Sequence, residues 1–155
     1  MKRLIAKVVV VVAALVGTAY ADVSRNVIAA FRGQLVITKD DLPEGKNDAD
    51  TIKNIKAANL HELVGEPASS DVTAWHFHYA AFLNRTGAKT LTMQFLIGAD
   101  IKGDKKITDV DPRSGALLGE ISIDEDEGPV KGKSYTVNLI DDHDHVVATT
   151  KLTLK

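Results

Sequence analysis

The fold is most legible in Val72-Thr73-Ala74-Trp75-His76-Phe77-His78-Tyr79-Ala80-Ala81-Phe82-Leu83. In a pleated strand successive side chains point to opposite faces. Read that way, Thr73, Trp75, Phe77, Tyr79, Ala81 and Leu83 share one face, and Ala74, His76, His78, Ala80 and Phe82 share the other. Three of the chain's eight aromatic residues stand in register on the first face, so that face points into a core.

Downstream, Asn84-Arg85-Thr86-Gly87 reads as a turn, and residues 90–97 form a second strand with Leu91, Met93, Phe95 and Ile97 in phase. Further strands are expected around residues 106–110, 117–123, 134–140 and 145–154. In the last, Val146, Ala148, Thr150, Leu152 and Leu154 alternate with Val147, Thr149, Lys151 and Thr153. Turn signals at Asp111-Pro112, Ser114-Gly115, Gly128-Pro129 and residues 141–144 punctuate them. Upstream, Leu35, Val36 and Ile37 lie in a strand that ends before Asp40-Asp41-Leu42-Pro43, and residues 60–64 suggest another, closed by a Gly65-Glu66-Pro67 turn. Residues 47–58 carry the one helical pattern of the mature chain, with Ile52, Ile55 and Ala58 or Asn59 at helical spacing and Asn47 or Asp48 as N-cap. Seven or eight short strands with one short helix predict an all-β, antiparallel β-sandwich, an immunoglobulin-like arrangement being one form of it, and argue against βαβ units. No linker composition or internal repeat divides residues 22–155, so they read as one domain.

Residues 1–21 have a different character. Lys2, Arg3 and Lys7 precede an apolar run through Val16, and the segment ends in Ala19-Tyr20-Ala21, the three parts of a cleaved secretory signal peptide. The run is short for a bilayer core of about 30 Å, so a permanent membrane anchor is not expected. The reading is export to the periplasm or beyond, with cleavage after Ala21 and a bacterial style of signal. Cleavage takes three of the 19 basic residues and none of the 21 acids, leaving 16 basic residues and a net charge of −5. Such a body lacks the basic stripe that neutralises phosphates, so nucleic acid is not an expected partner. The absence of cysteine excludes disulfides, thiolate metal sites and cysteine nucleophiles.

The chemistry-bearing pattern is a doubled His-x-His. His76 and His78 share one strand face, about 6–7 Å apart at Cβ, a separation from which two imidazoles can converge on one ion. His143 and His145 repeat the spacing within Asp141-Asp142-His143-Asp144-His145. If the two segments met, the site would suit zinc or copper. Against this, a hairpin tip favours short polar residues, and histidines are ordinary on a solvated sheet face.

The segment from Asp100 to Asp111 places Asp100, Asp104 and Asp111 at positions one, five and twelve, with Ile107 at the eighth. That spacing resembles the twelve-residue calcium loops of EF-hands and dockerin modules. Lys102 and Lys105 stand where an oxygen ligand and the turn glycine belong, so the segment reads as a polar hairpin. The run Asp124-Glu125-Asp126-Glu127 could hold a hard cation but reads more simply as a solvated turn. Asn84-Arg85-Thr86 fits the glycosylation sequon, which carries little weight behind a bacterial signal. No Gly-x-Ser-x-Gly elbow, Walker, Rossmann or zinc-protease motif is present, and Ser114 is a turn serine. The sequence therefore suggests a non-enzymatic binding or structural module that contacts a protein or cell-envelope component. The alternative is a small zinc- or copper-binding protein using His76 and His78, and an enzyme comes third.

Overall fold

A computed structural model describes residues 23–83, 86 and 88–155. The expected signal segment, and Asn84 and Arg85 of the sequon, lie outside the described residues. In chain order the elements are α1 (Arg25–Ala30), β1 (Leu35–Thr38), α2 (Asp48–Ala58), β2 (Glu62–Leu63), β3 (Glu66–Pro67), β4 (Thr73–Phe82), β5 (Leu91–Ile97), β6 (Asp100–Ile107), β7 (Ala116–Asp124), β8 (Lys133–Ile140) and β9 (Val146–Leu154). A 3-10 turn, Glu125–Glu127, follows β7.

The long strand β4 organises the first sheet: β7 pairs along its whole length on one edge, and β1 and β3 share the other. The second sheet runs β2-β9-β8-β5-β6. The facing orders β1-β4-β7 and β6-β5-β8-β9 are those of strands A-B-E against C′-C-F-G in an immunoglobulin-like sandwich. Between them lies one core. Trp75, Phe77, Tyr79, Ala81 and Leu83 meet Leu91, Met93, Phe95, Tyr135, Val137, Leu139, Leu152 and Leu154, so the aromatic face of β4 points inward as its period predicts.

Half of the opposite face of β4 is buried too, which the expectation of a solvated outer face missed. Ala80 and Phe82 pack with Val36 and Ala116 beneath Val27 of α1, its C-cap residue Phe31 and Ile55 of α2, and the Phe31 and Phe82 rings lie 5.1 Å apart. This third layer gives α2 its place: Asn47 caps it by accepting from the Asp50 amide, and Ile55 supplies its buried contact. The extra helix α1 is a six-residue turn capped by Ser24, too short to carry a legible period. Asp48 ties the two helices, accepting from Ser24 Oγ at 2.8 Å and Asn26 Nδ2 at 2.7 Å, bonds that lower its pKa.

Several boundaries differ from those expected. Among the described residues nine strands form, two of only two residues. Residues 60–64 reduce to β2, which pairs parallel to β9, so the sheet is not wholly antiparallel. Glu66-Pro67, expected in a turn, pairs with β4 as β3, where the missing proline N–H is tolerated at a sheet edge. The strand expected at residues 106–110 begins at Asp100, because Gly98, at φ +61°, closes a tight hairpin after β5.

Candidate metal centre

The helical layer covers Ala80 and Phe82 but stops short of His78 and His76, which emerge two and four residues further along the same face of β4. Register then chooses their neighbours: His78 stands opposite Glu120 and His76 opposite Ser122 of β7. Because β7 alternates, Leu117, Ile121 and Ile123 join the core while Glu120 and Ser122 share the histidines' outer face.

Glu120 Oε2 lies 3.4 Å from His76 Nε2 and 3.6 Å from His78 Nε2. One ligand atom from each of the three residues can be chosen so that all lie within 4.8 Å of one another. The rings are 6.0 Å apart at an interplanar angle of 82°, edge toward face. Each Nδ1 points to a different partner: Ser122 Oγ at 2.7 Å for His76, and Asp41 Oδ1 at 3.3 Å for His78. Both rings thus turn Nε2 toward one carboxylate and Nδ1 toward a hydrogen-bonding group, an arrangement in which a ligating histidine is usually held. His76 and Glu120 are exposed and His78 is half-buried, leaving the cluster open to solvent.

His143 and His145 do not join this group. They sit at the β8–β9 hairpin tip in the other sheet, where His143 clusters with Asp141 and Asp142. Asp141 explains this tip: its side chain is only 7% exposed, and Oδ1 accepts the backbone N–H of both His143 and His145 at 2.9 Å. Desolvation opposes ionisation of Asp141, but the bonds from His145 and His143 and the adjacent His145 ring outweigh it and hold its pKa below the usual aspartate value. A depressed carboxylate contributes stability above its unfolded pKa, lost as pH falls through the folded value. Asp141→Ala is therefore expected to cost about 1–2 kcal/mol at neutral pH, measured by urea unfolding. The difference from the parent protein should shrink below about pH 4; a pH-independent cost would contradict this account of the tip.

The calcium readings lose their geometry. Asp100–Ile107 is extended strand, so Asp100 and Asp104 are about 13 Å apart along it and cannot wrap one ion. In the acidic run each of three carboxylates serves the chain: Asp124 accepts from the Asp126 amide, Glu127 accepts from the Asp124 amide and pairs with Lys105, and Glu125 accepts from the Thr73 amide. Those bonds lower the pKa of Glu125 and Glu127. Ser114 Oγ donates to Ala116 O at 2.5 Å, inside its turn.

Glu120 was not singled out by the sequence among so many acids. Its one signal is phase: in Leu117 to Ile123, Glu120 and Ser122 occupy the outward positions of a strand whose alternate residues are apolar.

No family model matches this chain, and no curated protein matches it. Among solved structures, the CARDB domain of the PF1109 protein from Pyrococcus furiosus, crystallised in complex with di-metal ions, is similar to it. That similarity covers 80% of this chain and 94% of that domain, at 10% identity and a TM-score of 0.33. The fold assignment of this chain stands on its own strand order.

Proposed function

We propose that this chain is an exported, non-enzymatic metal-binding protein that holds a zinc or copper ion through Nε2 of His76, Nε2 of His78 and the carboxylate of Glu120. The two separations from Glu120 carry this reading. Separations of 3.4 and 3.6 Å are longer than a good hydrogen bond. Two ligands bound about 2.0–2.1 Å from one ion at tetrahedral angles stand about 3.3–3.4 Å apart, which is close to what Glu120 makes with each ring. Two imidazoles and one carboxylate suit a borderline divalent ion, and the solvent-facing side leaves room for a fourth ligand.

The non-enzymatic part is supported by the sequence, in which no Gly-x-Ser-x-Gly elbow, Walker, Rossmann or zinc-protease motif is present. Export is supported by the character of residues 1–21, and cleavage after Ala21 would remove no residue of the described fold. Among the described residues no helix is long and apolar enough to cross a membrane.

Calorimetric titration of residues 22–155 with Zn²⁺ and Cu²⁺ tests the site. One-to-one binding, weakened at least a hundredfold in His76→Ala/His78→Ala and clearly weakened in Glu120→Gln, is the expected result. Binding that is absent, or unchanged by these substitutions, would overturn it. One observation favours a second reading, a module that contacts a protein or cell-envelope component: among the described residues β7 pairs only with β4, which leaves its outer edge for strand addition.

A further inference from the structure

Asp41 stands apart from the other surface acids. Its side chain is 99% exposed, yet Oδ1 lies 3.3 Å from His78 Nδ1, on the side of the ring away from Glu120. The backbone on both sides of it is tied down. Before it, buried Thr38 donates its hydroxyl to the Asp40 carbonyl at 2.6 Å. After it, Leu42 packs into the layer beneath the helices. The loop is fixed again where the Gly45 amide donates to Thr51 Oγ1 and Asn54 Nδ2 donates to the Glu44 carbonyl, both at 2.9 Å. The β1–α2 connection therefore carries Asp41 to one edge of His78.

We propose that Asp41 is a positioning residue for the metal centre: its carboxylate holds the proton of His78 on Nδ1, so that Nε2 presents its lone pair toward Glu120. This rests on the metal reading above. A carboxylate faces each ring nitrogen, Asp41 at 3.3 Å from Nδ1 and Glu120 at 3.6 Å from Nε2. An ionised carboxylate can only accept, so in a neutral imidazole the proton goes to the nearer pair, as Nδ1–H facing Asp41, and Nε2 is the acceptor. Outer carboxylates of this kind fix the tautomer and ring orientation of a ligating histidine, and their loss typically costs about 10–100-fold in metal affinity. Asp41 acts through His78. Facing Nδ1, it stands on the wrong side of the ring to bind an ion held at Nε2.

Two measurements on the processed protein test this. Long-range ¹H–¹⁵N spectra of the metal-free protein, followed to alkaline pH, should show His78 as the Nδ1–H tautomer, with that preference lost in Asp41→Ala. Zinc titration should show Asp41→Ala binding about tenfold or more weaker, Asp41→Glu recovering part of the loss, and Asp40→Ala, which removes the same charge one residue away, binding like the parent. A wild-type His78 protonated on Nε2, or equal losses in Asp40→Ala and Asp41→Ala, would overturn the proposal. Failure of the parent protein to bind zinc would overturn the metal reading itself, whereas the metal-free tautomer would still report on Asp41.

Discussion

Phe77→Ala is expected to destabilise the protein by about 3–5 kcal/mol. Phe77 is fully buried and stands midway along the inward face of β4, between the two sheets. Truncation removes most of a ring from close-packed surroundings, and the strand cannot collapse into the space because β7 and β1 hold it in register on both edges. For a domain of this size the loss corresponds to a fall in melting temperature of about 10–15 °C. Phe77→Leu, which keeps much of the volume, should cost markedly less. The proposed metal site makes the substitution informative twice over, since Phe77 lies between the candidate ligands His76 and His78 in sequence, on the opposite face. A cost below about 1 kcal/mol for Phe77→Ala, by urea unfolding, would show that this face does not form the main core.

A loss of about 2–5 kcal/mol is expected for Gly128→Ala. Gly128 ends the 3-10 turn after β7 with φ +119°, a conformation that side-chain-bearing residues rarely adopt, and a Cβ there would overlap the Lys102 carbonyl oxygen of β6. The same turn carries Glu127, which pairs with Lys105 of β6, so the displaced segment would also lose that contact. Gly132 provides the comparison: its φ is +85°, but a Cβ there meets nothing within 4 Å. Gly132→Ala should therefore report conformational strain alone, about 1–2 kcal/mol. Equal costs at the two positions in denaturant unfolding would refute the close packing of the turn against β6.

The inward face of β4, the alternation of β5, β8 and β9, and the amphipathic spacing in α2 were all legible from residue order. Each is set by local chemistry: a strand repeats every two residues and a helix every 3.6, so burial writes itself into neighbouring positions. The pair His76 and His78 was legible for the same reason. By contrast, α1 and the two-residue strands β2 and β3 are too short to print a period. The hairpin at Gly98 moved β6 upstream and removed the calcium-loop geometry that spacing alone had suggested.

Residue order alone specifies a small, acidic, cysteine-free β-sandwich with two histidines on one face of its central strand. What those histidines meet is set by how the sheets and loops pack. Glu120 lies 42 residues beyond His78 and Asp41 lies 37 before it; strand register brings the first opposite the ring and the anchored β1–α2 loop brings the second to its edge. Which strands become neighbours depends on non-local packing, and the helical layer that buries Ala80 and Phe82 but ends before His78 is a product of that packing. Hence the phase of each candidate ligand is written locally, while their convergence is a property of the assembled sheet.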